Sequence, residues 1–153
     1  MSKARVNILV CSFVLAGVIV FCFWYCLDVG CFDFVETSPE NAFIVSNSKK
    51  IVIVDRVVVD IKVRGQNIFV LQMAVQDYEC GEGRDRTIRT SYLKDKLYWV
   101  LFKSTGKSVG PMSESAYHVF LKSAGFGNVE LDVPTWYKGL VGEAVDVTGC
   151  VEI

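Results

Sequence analysis

The sequence predicts an α+β fold, in which an N-terminal transmembrane helix is followed by a mainly antiparallel β-sheet domain packed by one short helix. Three patterns lead to this prediction: a long uncharged apolar segment, several runs in which apolar and polar residues alternate, and one segment with apolar residues at helical spacing. The chain has 153 residues, enough for one compact core beyond the apolar segment.

The apolar segment covers residues 6–27, and none of its 22 residues is charged. As a helix it would extend about 33 Å, enough to cover a hydrocarbon core of roughly 30 Å. Lys3 and Arg5 precede the segment and Asp28 follows it. By the positive-inside rule, residues 1–5 are expected in the cytoplasm and the C-terminal part outside it. The pattern therefore predicts a single-pass signal anchor, with the lipid bilayer as a partner and the C-terminal domain on the far side of the membrane.

Two other fates of this segment stay open. A cleaved signal peptide is disfavoured because the apolar run is long and ends in Phe-Trp-Tyr-Cys-Leu rather than in small residues. Lipidation at Cys31 has the small residue before the cysteine but an unsuitable Asp28 three places ahead. Cys22 and Cys26 share a helix face, so a homodimer through the membrane helix is a further option.

Residues 28–50 turn polar and are interpreted as a juxtamembrane linker or the start of the domain, which then occupies residues 51–153. Apolar residues alternate with polar ones up to Val63, and a turn at residues 64–67 leads into a second apolar run, so a β-hairpin is expected. The expected segments after the turn are a strand at 68–75, an exposed loop at 76–86, and strands at 87–93 and 97–103.

The helix is predicted at residues 113–124. Ala116, Tyr117, Phe120, Leu121 and Ala124 recur at helical spacing, Ser113 suits the N-cap, and Gly125 can end the helix in the left-handed conformation. Two weaker strands are expected at 129–133 and 144–151, separated by residues 134–139.

Charge and cysteine content restrict the function. Beyond residue 32 there are 14 of the 16 Lys and Arg residues and 16 of the 17 Asp and Glu residues, so no excess of positive charge favours nucleic acid as a partner. Cys80 and Cys150 are the two cysteines beyond residue 32. In an oxidising compartment they could form a disulfide worth about 4 kcal/mol by the chain-entropy estimate, and two free thiols are the alternative.

The sequence gives little sign of catalytic chemistry. The single histidine, His118, falls outside the apolar stripe of the predicted helix and has no nucleophile motif beside it. Gly106-Lys107-Ser108 lacks the first glycine of a phosphate-binding loop, because that position is Leu101. The acidic loop after residue 76 lacks the EF-hand spacing. We therefore expect no catalytic residues, no cofactor and no metal, and the chain is not expected to be an enzyme.

The charged loop and the large aromatic side chains are the candidates for an interaction surface. Charged loops and exposed aromatic rings are frequent in protein interfaces, although core packing is the commoner fate of such rings. The predicted surface consists of Asp77, Tyr78, Glu79, Glu82, Arg84, Arg86, Trp99 and Trp136.

Residues 97–125 run Tyr98-Trp99-Val100, then a Lys-Ser-Thr-Gly-Lys turn, then Gly110-Pro111-Met112-Ser113-Glu114 and a helix. This stretch resembles a pattern in small, uncharacterised bacterial exported or lipoprotein-type proteins. It departs from that pattern at Phe102, where an Asp is common, and at Met112, where a Leu is common. The resemblance implies a bacterial envelope context, in which the anchor would lie in the inner membrane and the C-terminal domain in the periplasm. It implies no catalytic residue.

The expected function is a membrane-anchored extracytoplasmic protein-interaction module of the bacterial envelope, with a protein partner. The alternatives are an immunity-type protein that binds an exported toxin, a structural envelope component that acts through its membrane helix, and a histidine-independent enzyme around residues 77–89.

Overall fold

The computed structural model describes residues 31–141, 143 and 145–153, and Cys31–Ile153 forms one compact unit. The strands are β1 (Phe32–Glu36), β2 (Ala42–Ser46), β3 (Ile51–Val54), β4 (Val58–Arg64), β5 (Asn67–Cys80), β6 (Thr87–Phe102), β7 (Lys107–Met112) and β8 (Cys150–Glu152). The α-helices are α1 (Glu114–Ser123) and α2 (Thr135–Leu140), and short 3-10 turns lie at Pro39–Asn41 and Gly83–Asp85.

The strands form two antiparallel sheets. The first sheet is a three-stranded meander in the order β1-β2-β3. The second has the order β4-β5-β6-β7, and β8 pairs with the end of β5. The 14-residue β5 and the 16-residue β6 form the long central ladder of this second sheet. Because consecutive strands pair directly, most of the fold follows from hairpins between neighbours in the sequence.

Both faces of the second sheet are covered, and alternation along β5 and β6 decides which residue faces which layer. Val70 and Leu101 face the first sheet, where they join Phe32, Ile44 and Val54 in one core cluster. The intervening residues face the helices. This second cluster comprises Phe69, Leu71, Met73, Tyr98, Val100, Tyr117, Leu121, Val129, Leu131 and Tyr137, with Val57. The domain is therefore a three-layer arrangement of sheet, sheet and helices.

The chain passes from the first sheet to the second at Asp55–Val57, and Gln72 holds this crossing. The Gln72 side-chain amide donates to the carbonyls of Asp55 and Arg56, at 3.2 and 3.3 Å, and accepts from the Trp99 indole at 2.9 Å. Val57 has a φ of +64°, a left-handed conformation that costs an L-residue about 1–2 kcal/mol. Its side chain is 1% exposed, so burial in the helix-side core offsets this strain.

Helix α1 begins where the sequence predicts. The Ser113 hydroxyl accepts a hydrogen bond from the Ala116 backbone N–H at 3.3 Å, which confirms the N-cap, and Gly125 after the helix has a φ of +72°. Tyr117 is fully buried and stacks on Tyr98, with ring centroids 4.6 Å apart. The Tyr117 hydroxyl donates to the Val129 carbonyl at 3.2 Å, so the helix also positions the segment that follows it.

Helix α2 sits over an irregularity in the central ladder. Met73 pairs with Lys96 and Val75 with Tyr92, so residues 93–95 of β6 lie opposite the single residue Ala74 of β5. The Tyr137 hydroxyl donates to the Leu93 carbonyl at 2.7 Å and to the Ala74 carbonyl at 3.3 Å. A fully buried side chain from α2 thus provides hydrogen bonds at the point where the ladder changes register.

The structure joins Cys80 to Cys150 in a disulfide. The two residues are directly paired across β5 and β8, and their Cα atoms are 4.2 Å apart. Arg89 also bonds to Asp146, which fastens the segment before β8 to β6. The C-terminal strand is therefore attached to the second sheet by a covalent bond as well as by backbone pairing.

Several predicted boundaries are wrong. Residues 28–50, which were interpreted as a juxtamembrane linker or the start of the domain, contain β1 and β2. The expected exposed loop at 76–86 is strand as far as Cys80. The two strands expected at 87–93 and 97–103 are one continuous strand, β6, which contains the irregularity opposite Ala74. Residues 134–139, for which no element was predicted, include most of helix α2. Of the weak strand expected at 144–151, only the part that begins at Cys150 forms a strand, β8.

The predicted fold class must also be corrected. In the part of the chain that the structure describes, no helix is both long enough and apolar enough to cross a membrane, and the longest, α1, has ten residues. The span predicted at residues 6–27 and the cytoplasmic stretch at 1–5 lie outside the described residues. For the residues that the structure describes, the predicted α+β class with a transmembrane helix is replaced by a mainly antiparallel β fold with short helices.

Candidate functional site

Within the described part of the chain, a cleft of about 500 Å³ lies between the edge of the first sheet, strand β4 and the start of helix α2. We call it the aromatic cleft, and its lining consists of Phe34, Glu36, Pro39, Ala42, Val58, Val59, Asp60, Ile61 and Trp136. Binding sites in proteins are typically concave, mainly apolar and supplied with a few polar groups, and this lining has that composition.

Two exposed aromatic rings line the cleft. Phe34 lies on the same face of β1 as the buried Phe32, yet it is 48% exposed. Trp136 is 36% exposed, whereas the next residue, Tyr137, is fully buried. Phe34 and Trp136 are therefore large apolar side chains that remain partly exposed, whereas the nearby aromatic residues Phe32 and Tyr137 are buried in the core.

The cleft also contains two carboxylates that differ in their surroundings. Asp60 accepts a hydrogen bond from the Asp132 backbone N–H at 2.8 Å and lies 3.9 Å from the Lys62 ammonium. Glu36 is exposed and forms no ion pair with any residue that the structure describes. The Asp60 carboxylate is therefore occupied by contacts within the domain, and Glu36 is the carboxylate available to a ligand.

The structure separates the residues of the predicted interaction surface. Asp77 forms an ion pair with Arg56 and accepts a hydrogen bond from the Thr90 hydroxyl at 2.7 Å. Glu79 pairs with Arg86 at 2.7 Å. These carboxylates lie within β5 and are paired by neighbouring residues, rather than standing free on a loop.

The other residues of the predicted interaction surface also lie in different parts of the fold. Tyr78 pairs with Arg89 in the β5-β6 ladder, and Glu82 and Arg84 are exposed around the 3-10 turn. Trp99 packs against the cluster between the two sheets. Trp136 is the one residue of the predicted surface that lines the aromatic cleft.

The ionisable groups of the core are tyrosines. Burial raises the pKa of Tyr117 to about 12, and it does the same for Tyr137. Burial, followed by the charge of Glu114, raises the pKa of Tyr98 well above its ordinary value. These hydroxyls therefore stay protonated at neutral pH and act as hydrogen-bond donors.

A further cavity, which is polar, lies beside helix α1. His118 is exposed on α1, and this cavity of about 350 Å³ beside it also receives Lys96 and Glu114, which pair at 3.5 Å. Among the residues that the structure describes, no group of three His, Cys, Asp or Glu side chains could hold a metal ion.

Sequence reasoning missed Phe34, Glu36 and Pro39, because they were assigned to a linker. The alternation Phe32-Asp33-Phe34-Val35-Glu36 is a strand signal, but it is short and adjoins the apolar segment. A second signal was the apolar run at 42–45, which could have paired with it as a hairpin.

The fold and the cleft define a disulfide-linked antiparallel β domain with an aromatic, partly acidic concave surface. Comparisons of the chain with protein-family models, with curated proteins and with solved structures found no match.

Proposed function

We propose that the domain is an extracytoplasmic protein-interaction module that binds its partner at the aromatic cleft. The observation that carries this proposal is the pair of exposed rings, Phe34 and Trp136, in a cleft of about 500 Å³. Large rings give much contact area at little entropic cost, and residues of this kind dominate the binding energy of protein interfaces.

The chemistry of the cleft favours a peptide segment that places an apolar side chain beside a basic one. The apolar side chain would contact the two rings and Ile61, and the basic group would reach the Glu36 carboxylate. A cation close to an aromatic face gains a further attraction from the ring.

Strand β1 gives such a segment a backbone partner. Within the described residues β1 pairs with β2 alone, so its other edge has backbone N–H and C=O groups available. An extended peptide bound along this edge could add backbone hydrogen bonds to the side-chain contacts in the cleft.

The Cys80–Cys150 disulfide supports the extracytoplasmic placement. Disulfides persist in oxidising compartments and are rare where glutathione and thioredoxin keep thiols reduced. The bond fastens a strand of only three residues, which would otherwise have little to hold it on the sheet.

The test replaces both rings in the full-length chain, as Phe34→Ala with Trp136→Ala. The control is Ile88→Ala with Val119→Ala, because these apolar residues are 65% and 69% exposed and lie outside the cleft. A tagged chain is first used to isolate a partner present in stoichiometric amount, and the affinity of each variant for that purified partner is then measured by calorimetry.

We expect the cleft pair to weaken binding by about a hundredfold, since each ring should contribute more than 1 kcal/mol. The control pair should leave the affinity within about threefold of the wild-type value. The proposal is wrong if no stoichiometric partner is recovered, or if both pairs of substitutions reduce the affinity equally.

A further inference from the structure

A second concave surface carries charge of the opposite sign. This groove has a volume of about 330 Å³, and we call it the lysine groove. Its lining consists of Met73, Lys94, Lys96, Val133, Tyr137, Lys138 and Val141. Helix α2 contributes to both surfaces, because Trp136 lines the aromatic cleft while Tyr137 and Lys138 line the groove.

The lysines are brought together by two features of the fold. Lys94 and Lys96 are two residues apart in β6, so strand alternation places both on the helix-facing side, with Tyr92 and Tyr98, where they line the groove. Lys138 comes from α2, whose position is held by the hydrogen bonds of the Tyr137 hydroxyl. The floor below the ammonium groups is apolar, since Met73 is 2% exposed and Val133 and Val141 are half-buried.

The charges of the groove are largely uncompensated. No acidic residue belongs to its lining. Lys96 pairs with Glu114 at 3.5 Å, but Lys94 and Lys138 form no ion pair with any described residue. Two exposed ammonium groups therefore flank an apolar floor without an ion-pair partner among the described residues.

We infer that the lysine groove binds an acidic segment of the protein partner in which carboxylate side chains alternate with aliphatic ones. The aliphatic side chain would cover the floor formed by Met73, Val133 and Val141, and the carboxylates would pair with Lys94 and Lys138. This inference rests on the proposed function, because it assigns the groove to a protein ligand.

The groove is less suited to nucleic acid. Binding of single strands relies on aromatic rings that stack with bases, and the one ring in this lining, Tyr137, is fully buried. An isolated phosphate would use the ammonium groups but would leave the apolar floor uncovered. Both features of the groove are used together only by a ligand that is anionic and aliphatic.

The experiment uses the full-length chain and a fluorescently labelled peptide in which glutamates alternate with leucines. One comparison peptide has glutamines in place of the glutamates, and another has serines in place of the leucines. Binding is followed by fluorescence anisotropy with the wild-type chain, with Lys94→Gln and Lys138→Gln combined, and with the matched control Lys107→Gln and Lys122→Gln. The control lysines are exposed and lie outside the groove.

We expect the groove pair to weaken binding of the glutamate-leucine peptide by about tenfold and the control pair by less than about twofold. Both comparison peptides should bind at least about tenfold more weakly than the parent peptide. Equal effects of the two lysine pairs, unchanged binding of the serine peptide, or complete displacement by inorganic phosphate would each overturn the inference.

A third variant distinguishes failure of this inference from failure of the proposed function. The chain with Phe34→Ala and Trp136→Ala has an intact lysine groove and should bind the glutamate-leucine peptide with wild-type affinity. If it does, the lysine groove binds the peptide independently of the aromatic cleft, and the inference holds whether or not the cleft binds the partner. If peptide binding is lost together with the rings, the groove is not an independent contact surface and the inference is wrong.

Discussion

The Tyr137 hydroxyl provides a sharp test of how the helices stabilise the long central ladder. Replacing Tyr137 with Phe removes one oxygen atom and leaves the ring in place. That oxygen donates to the carbonyls of Leu93 and Ala74, at 2.7 and 3.3 Å, where β5 and β6 change register. The side chain is fully buried, so water cannot easily replace the lost donor.

The expected cost follows from the carbonyl oxygens that lose this donor. A buried polar group that loses its partner destabilises a protein by about 1–3 kcal/mol, so we expect a loss of about 2 kcal/mol in the free energy of unfolding. At about 2.1 cal/mol/K of unfolding entropy per residue, a domain of this size should lose about 8 °C in Tm.

The measurement is urea-induced unfolding followed by circular dichroism, with the disulfide intact in both proteins. The control is Tyr92→Phe, because the Tyr92 ring contacts Tyr137 edge to face at 5.8 Å while its hydroxyl has no hydrogen bond to a described residue. This control should change the stability by less than about 0.5 kcal/mol. If Tyr137→Phe is as mild as Tyr92→Phe, the hydroxyl does not stabilise the ladder and the reasoning is refuted.

Three further predictions concern the disulfide, the buried tyrosines and one glycine. Replacing both Cys80 and Cys150 with Ala should cost about 4 kcal/mol, because the loop of 70 residues is no longer closed in the unfolded chain, and chemical denaturation measures it. The pKa values of Tyr117 and Tyr137 are raised to about 12. The stability that these two protonated hydroxyls contribute is therefore fully present below pH 10 and is lost as the pH rises towards 12. The two pKa shifts together correspond to a loss of about 5 kcal/mol in the free energy of unfolding. Tyrosinate absorbance should rise together with unfolding. Gly110→Ala should destabilise by about 2 kcal/mol or more in thermal unfolding, because a Cβ there would lie 2.7 Å from the Trp99 ring at a φ of +145°.

Each of these predictions has a distinguishing control. Reductant should lower the stability of the wild-type chain and leave the Cys80→Ala, Cys150→Ala chain unchanged. If the Tyr117 and Tyr137 hydroxyls ionise before the domain unfolds, as judged from the absorbance that Tyr117→Phe and Tyr137→Phe remove, the buried hydroxyls are not coupled to the fold. Gly65→Ala is the reference for Gly110, since it also has a positive φ, of +57°, but no atom within 4 Å of the added Cβ. Equal losses for the two glycines would show that backbone strain, and not the contact with Trp99, sets the cost.

Local patterns predicted the parts of the fold that depend on neighbouring residues. The capped helix after Ser113 and the hairpin around Gly65 are observed, because their signals lie within a few residues of each other. The extent of β5 was missed because Asp77 and Glu79 look like loop residues. Arg56, Thr90 and Arg86 pair with these carboxylates, and the sequence alone does not reveal those distant partners.

The candidate site was harder to predict, because its parts are far apart in the chain. Phe34, Ile61 and Trp136 come from the first sheet, the second sheet and helix α2, and only the packing of the three layers brings them to one cleft. Trp99 and Trp136 look equivalent in the sequence, yet one donates to Gln72 in the core and the other lines the cleft. Alternation predicts which side of a strand a residue faces, but it does not predict whether another layer covers that side.

The covalent loop between Cys80 and Cys150 also determines how the domain would respond to a pulling force. Tension applied between Cys31 and Ile153 passes through the first sheet, β4 and β5, and then crosses the disulfide directly to β8. Residues 81–149, which include β6, β7 and both α-helices, lie inside the loop and carry no tension while the bond is intact. Stretching the oxidised domain should therefore release only the length of chain before Cys80, and reduction should add the length of the loop to that extension.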